Sequence, residues 1–495
     1  MQLDARGNYV RSPLLSQAPS LENGGLQRGP PFTVTFRIRE GAIWDDGSPI
    51  ISEDFAFTWR AIMHTKGSIL AEQYAAIRSI DTTAPKVAVV ALDEPTATWP
   101  ELFGGSAGFV LKRSAFPNAN PDRPNLKNRM QDSIGFSGGP WILRSWSKDQ
   151  AVLFRNERYF GRRTALDNVV FVPRTDQAIE LRSLLLGEIA VIFADPSFAA
   201  SENLPSFRQL GSNPKIKTMA TSSTKFEALW FNPKFRPLND RMVREALMYA
   251  IDRQGIVNSI VKPSNPVADV LNCGFVALPD LGPWCATKPF RRFTYDPARS
   301  RVLLESTGYD CSSTPCTKNS KPLRVRYITN SANPLDTRVE DFVRSRAAEA
   351  GFEIRIVNVE GGVLFGTSGC LLPHDLPVTQ CARETRPDGR VTEVLGCRAI
   401  PTEQRDFVGE NRIGWCNREA DRLMKESDRE LDPARRLELL ARVHEIEVED
   451  LIGLPLFVVP VVSAWRTDRI AGPIGRYASS PYGLFFNMDE WYATT

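Results

Sequence analysis

The sequence predicts an α/β protein of more than one domain, and three observations carry that prediction. At 495 residues the chain exceeds the length at which a single core keeps growing, so two or three domains are expected. Strand-like and helix-like periodicities alternate: residues 167–172 read as a strand, 177–186 as a helix and 187–192 as a returning strand. That order suggests a right-handed crossover in a mixed sheet. A second unit repeats it, with a strand at 323–328, a helix at 336–350 and a strand at 351–356.

Taken in order, residues 4–15 form a turn between short extended pieces. Phe32, Val34, Phe36 and Ile38 alternate with Thr33, Thr35, Arg37 and Arg39, which predicts a half-buried strand. Asp45-Asp46-Gly47-Ser48-Pro49 supplies a tight turn. Ser52 is expected to cap a helix whose first turn carries Glu53 and Asp54 and whose inner face is Phe55, Trp59, Ile62 and Met63. Asp45, Asp46 and Asp54 are thereby turn and cap residues, not general acids or bases. Gly135-Phe136-Ser137-Gly138-Gly139 matches the G-x-S-x-G of a nucleophile elbow. An elbow needs a strand before and a helix after, whereas residues 140–154 read as a hairpin. A serine hydrolase using Ser137 is therefore the enzymatic alternative to a reading without catalytic residues.

The central stretch, residues 230–261, is the most informative. A strand ends at Phe231, and Pro233 and Pro237 then forbid regular structure. Asn239 or Asp240 caps a helix with Val243, Ala246, Leu247, Ala250 and Ile251 on one face. Asp252 caps a second, whose apolar face is Ile256, Val257, Ile260 and Val261. Further on, Asp296-Pro297 opens a helix carrying Val302, Leu303 and Leu304. Ala420, Leu423 and Met424 face inward from another helix, and Asp432-Pro433 opens a long one through Leu437, Leu440, His444 and Val448. Residues 454–459 return as a strand.

Composition excludes several classes. Lys plus Arg is 61 against 58 Asp plus Glu, a balance that gives no reason to propose nucleic acid as partner. His64, His374 and His444 lack metal-site spacing, so neither a metal nor a cofactor is expected. No apolar run reaches the length of about 18 residues that a membrane span needs. The eight cysteines all lie in the second half, without a C-x-x-C. Eight allow 105 pairings, and short separations favour Cys273 with Cys285, Cys311 with Cys316 and Cys397 with Cys416. Disulfides imply an oxidising, extracytoplasmic compartment, although residues 1–7 show no basic region followed by an apolar one.

Several of these segments together resemble the extracellular solute-binding proteins of family 5, the peptide- and nickel-binding receptors of ABC importers. The resemblance rests on Asn232, Pro237, Asp240, Val243-Arg244-Glu245-Ala246-Leu247 and Ala250-Ile251-Asp252. Ahead of these stand Val34 to Gly41 with Trp44, Asp46-Gly47, Pro49 and Asp54-Phe55, then Ser137-Gly138-Gly139-Pro140-Trp141 with Trp146. Behind them stand Tyr295-Asp296-Pro297, Asp432-Pro433 and the ending Phe486-Asn487-Met488-Asp489-Glu490-Trp491. Two places depart from the pattern. Residues 369–386 carry two prolines and no comparable apolar strand where the family has a strand and a ligand-facing loop. They read either as diverged or as frameshifted, which would make Cys370 and Cys381 accidental. The family also carries several dozen residues before the position of Asp4, including a secretion signal and commonly a lipoprotein cysteine.

The resemblance implies a two-lobed periplasmic-binding-protein type II fold, α/β with mixed sheets, hinge-crossing strands and a ligand cleft between lobes. Residues 1–235 plus 465–495 would form the first lobe and 236–464 the second. The implied function is capture of peptides and delivery to the permease subunits of an ABC importer, by a monomer. The candidate ligand contacts are Trp230, Asn232 and Asp388, the last as the acid nearest the departed loop. A non-peptide solute such as a sugar, an opine or a metal chelate is the alternative within binding proteins.

Overall fold

Alternation between apolar and polar residues decides the first sheet. The computed structural model describes all residues except 69, 105–107, 132, 175, 195–197, 199–201, 274–287, 365–377, 385–390, 406–408, 412, 481 and 495. In it Phe32, Val34 and Phe36 are buried on the strand that alternation predicts. Strands β1 (Leu26–Gln27), β2 (Phe32–Arg37), β3 (Ile77–Ala84) and β4 (Val87–Leu92) form an antiparallel sheet in the order β1-β2-β4-β3. Helix α1 (Ser52–His64) is pinned to it by Phe55, whose ring lies 5.8 Å from Phe36 and 5.0 Å from Phe103. The expected cap is displaced by one residue. Ile51 holds the N-cap position, and the Asp54 carboxylate accepts its N–H at 3.1 Å. Ser52 instead donates its hydroxyl to the Ala84 carbonyl at 2.9 Å.

A second antiparallel sheet orders β5 (Trp141–Trp146), β6 (Ala151–Arg155) and β7 (Asn168–Phe171) consecutively. Helix α2 (Gln177–Leu186) follows, capped by Asp176, whose carboxylate accepts the N–H groups of Ala178 and Ile179 at 2.8 and 3.0 Å. Gly187 ends it at φ 78°, a left-handed conformation that favours glycine.

The next strands are β8 (Val191–Ala194) and β9 (Ile216–Phe231), then helices α3 (Arg241–Tyr249), α4 (Arg253–Ile256) and α5 (Pro297–Ser306). After them come β10 (Arg324–Ile328), α6 (Pro334–Glu349), β11 (Glu353–Ile356), β12 (Val378–Glu384), α7 (Arg418–Arg429), α8 (Pro433–Asp450) and β13 (Gly453–Arg466). The six strands form one mixed sheet in the order β8-β13-β9-β12-β10-β11. The predicted strand, helix and strand at 323–356 are β10, α6 and β11, with β10 and β11 parallel.

Two expectations are corrected here. The strands at 168–171 and 191–194 do not share a sheet: β7 belongs to the three-stranded sheet and β8 to the six-stranded one, so no crossover joins them. Residues 378–384 form a strand where none was expected, antiparallel to β9 over seven residues and parallel to β10. By its internal contacts the chain divides into two compact units, the first division falling at 190/191. Unit one is 1–190, 429–431 and 465–495, and unit two is 191–428 and 432–464. The reason is β9: flanked by β13 and β12, it ties the segment from 191 onward to the second unit's sheet.

Candidate ligand-binding region

The predicted contacts sit where β9 runs out. Trp230 is 0% exposed inside the second unit's core, with its ring 6.4 Å from that of Phe226. It has no surface to offer a ligand and acts by packing. Asn232 is 8% exposed, and its Oδ1 accepts the Lys234 N–H at 3.0 Å. Its NH2 makes no hydrogen bond among the described residues, which leaves a donor pair beyond the strand end. Asp388 lies outside the described residues.

The loop that carries Asn232 is held from several sides. Asp240 caps α3 by accepting the Met242 N–H at 2.9 Å. Arg244 reaches back to the Leu238 carbonyl at 2.7 Å and across to that of Asp450 at 3.2 Å. Burial, with Arg241 close by, lowers the Arg244 pKa. One turn on, Asp252 accepts the Gly255 N–H at 2.7 Å. The buried Arg253 donates to the carbonyls of Leu271, Pro455, Phe290 and Phe293 at 2.8–3.1 Å and to Asn272 Oδ1 at 3.2 Å. Burial pulls its pKa down to about 10. The residues of the central signature thus perform structural work, joining α3 and α4 to β13 and to the chain on either side of 274–287.

Beside β9 lies a polar cluster that the sequence did not reveal. In register, Leu229 faces Gln380 and Trp230 faces Thr379. The Tyr327 hydroxyl donates to Gln380 Oε1, and Thr329 Oγ1 donates to the Gln380 carbonyl at 3.3 Å. Asn358 Oδ1 accepts the Thr329 N–H at 3.2 Å while its NH2 donates to Glu340 Oε1 at 3.1 Å. Burial pushes the Glu340 carboxyl up to about 7. Burial, then Glu227, Glu340 and Asp336, raise the Tyr327 phenol well above its ordinary value. Tyr327, Thr329, Thr379 and Gln380 are fully enclosed, so the cluster fixes strand register rather than meeting solute. The alternation in Arg324-Val325-Arg326-Tyr327 is the signal that places Tyr327 inward, where the sequence is read above only as a strand. The rest was hidden because Val378-Thr379-Gln380 does not read as an apolar strand.

The nucleophile-elbow reading of Ser137 fails on geometry. The Ser137 hydroxyl donates to the Trp141 carbonyl at 2.5 Å and accepts the Gly139 N–H at 3.1 Å, and β5 follows in place of the helix an elbow requires. His444 is buried on α8 with Nδ1 3.1 Å from Glu447 Oε2, and His374 lies outside the described residues. Among the described residues no group of His, Cys, Asp or Glu is placed to hold a metal ion, and no helix is long and apolar enough to cross a membrane.

Two expected disulfides are formed, Cys311–Cys316 and Cys397–Cys416. Cys273 is also disulfide-bonded, whereas Cys285 and Cys370 lie outside the described residues. The Cys397–Cys416 loop is gathered by Asn411, whose NH2 donates to the carbonyls of Leu395, Gly396 and Trp415 at 2.8–2.9 Å.

The family model for bacterial extracellular solute-binding proteins, family 5, matches residues 29–368. The chain belongs to that family. A putative ABC transporter peptide-binding protein of Brucella ovis is 28% identical over 325 residues, which is 65% of this chain and 56% of the relative. This family 5 chain thus aligns with little more than half the length of that relative. Among solved structures, the periplasmic EDTA-binding protein EppA superposes with a TM-score of 0.81 at 18% identity, covering 98% of this chain and 88% of that one. The oligopeptide-binding protein AppA of Bacillus subtilis, in complex with a nonapeptide, gives 0.76 at 18% identity, covering 100% and 92%. At such identities the likeness shows the fold, that of the periplasmic binding proteins. Within it, Asp240, Arg244 and Asp252 of the family signature cap and brace α3 and α4.

Proposed function

We propose that this protein captures peptides outside the cytoplasm and delivers them, as a monomer, to the permease subunits of an ABC importer. The observation that carries the reading is the family match together with the peptide-binding description of the Brucella relative. Asn232, with an unspent NH2 beyond β9, suits a peptide carbonyl, in the manner of receptors that pair ligand backbone with protein groups. Asp388 is proposed as partner for the peptide's amino end, and Trp230 as the packing that fixes the strand carrying Asn232. The disulfides Cys311–Cys316 and Cys397–Cys416 support an oxidising location.

A second reading is a metal chelate, because EppA, named for EDTA, superposes as well as the peptide receptor does. Tryptophan fluorescence titrated with defined di- to pentapeptides, and separately with metal-free and nickel-loaded EDTA, decides between them. Saturable quenching by peptides alone supports the proposal. Saturation by the chelates with no response to peptides overturns it.

A further inference from the structure

We infer that unit one carries a small-molecule site of its own, built for a free α-amino acid with an aromatic or branched apolar side chain. A cavity of about 550 Å³ opens beside the start of α1, walled by Trp44, Pro49, Phe57, Phe116, Pro117 and Pro121. Its volume falls inside the range of about 300–1,000 Å³ that small ligands occupy.

The walls are held in place independently of any ligand. Asp54 is buried, and its Oδ1 accepts the Arg113 N–H at 2.9 Å while Oδ2 accepts Trp44 Nε1 at 3.2 Å and the Ile51 N–H at 3.1 Å. Its carboxylate is thereby spent on joining three parts of the rim. Thr58 Oγ1 accepts the Leu111 N–H at 2.8 Å, bringing the chain before Arg113 onto α1. The Phe57 and Phe116 rings stack at 5.7 Å and 24°.

The charged groups that remain are matched to a zwitterion. Glu53 and Arg113 both line the cavity, and Arg113 Nε stands 3.9 Å from Glu53 Oε1, too far for a hydrogen bond. The Arg113 guanidinium makes no hydrogen bond among the described residues, so its planar fork is free for a carboxylate. Glu53 accepts from Arg60 at 2.6 Å and from Thr82 at 3.3 Å and retains lone pairs for an ammonium. A carboxylate and an ammonium on one carbon, with an apolar side chain against the aromatic and proline walls, use all three features at once. A ligand with only one charge engages Arg113 or Glu53 but not both, leaving Glu53 to its ion pair with Arg60 or Arg113 at 3.9 Å from Glu53.

The test is calorimetric titration of the full chain with L-phenylalanine, 3-phenylpropionate and phenethylamine. Phenylalanine binds, and the two singly charged analogues bind at least tenfold more weakly. Arg113→Gln, a surface change, weakens phenylalanine about tenfold. Ala119→Leu, at a residue that also lines the cavity, fills it and abolishes binding with the melting temperature retained. A saturating peptide mixture does not displace phenylalanine, which separates this site from the peptide reading. Absence of phenylalanine binding at about 20 mM, native affinity in the Arg113→Gln variant, or displacement by peptides would each overturn the inference.

Discussion

Replacing Glu340 by glutamine should flatten the pH dependence of the second unit's stability. Glu340 lies on α6 and is 3% exposed. Oε1 accepts the Asn358 NH2 at 3.1 Å, and Oε2 has no hydrogen-bond partner among the described residues. Burial raises its pKa from 4.5 to about 7; Asp341 pushes the same way, while Asn358 and Arg344 oppose. Holding a carboxyl that far above its unfolded value costs about 3 kcal/mol at most wherever the group must ionise. The sign follows from proton binding. Below pH ~4.5 the group is neutral in both states and its contribution to stability is complete. Between ~4.5 and ~7 the unfolded chain ionises first, and that contribution is lost as pH rises through the folded pKa. Urea unfolding at pH 5 and pH 8 measures this directly. Relative to the native chain, Glu340→Gln should gain about 2–3 kcal/mol on going from pH 5 to pH 8. An unpaired amide N–H in place of Oε2 costs about the same at both pH values and drops out of the comparison. An equal difference between variant and native at the two pH values would refute the reasoning.

Arg253→Lys should lower unfolding stability by about 3 kcal/mol, because one ammonium cannot span the carbonyls that the guanidinium bridges; thermal melts check it. Asp240→Ala removes the cap on α3 and should cost about 1 kcal/mol, read by denaturant unfolding. The double variant Cys397→Ser/Cys416→Ser opens a closure of 19 residues and should lose about 3 kcal/mol, read by denaturant unfolding of variant and native chain side by side without reducing agent, which leaves Cys311–Cys316 closed in both. Asn232→Asp keeps the acceptor used by Lys234 while removing the donors. Its melting temperature should stay within about 2 °C of native, since the local bond survives, while peptide affinity in fluorescence titration falls about tenfold.

The parts of the fold that were legible in the sequence are those fixed by short-range chemistry. Asp240, Asp252, Asp296 and Asp432 each precede an apolar-periodic run, and each accepts backbone N–H groups at a helix start. Phe32, Val34 and Phe36 alternate and are buried. What was not legible depends on partners distant in sequence. Ser52 looks like a cap, yet Asp54 reaches the Ile51 N–H while Ser52 is drawn to the Ala84 carbonyl. Val378-Thr379-Gln380 looks unlike a strand because it carries a polar pair, and what seats Gln380 there is distant in sequence: its Oε1 and carbonyl are answered by Tyr327 on β10 and Thr329 just beyond its end. The binding region was harder still: Trp230 and Asn232 were singled out together, but Trp230 is enclosed and Asn232 alone keeps an unspent donor.

The measurement that bears most directly on the central claim is thermal unfolding of the chain, with its cysteines oxidised, in the presence and absence of a mixture of short peptides. Binding to the native state alone raises the melting temperature, by the equivalent of about 2.7 kcal/mol when free peptide is a hundredfold above its dissociation constant. The account predicts a concentration-dependent rise with peptides and none with EDTA. A cooperative transition that peptides leave unmoved, but that chelates shift, would contradict it.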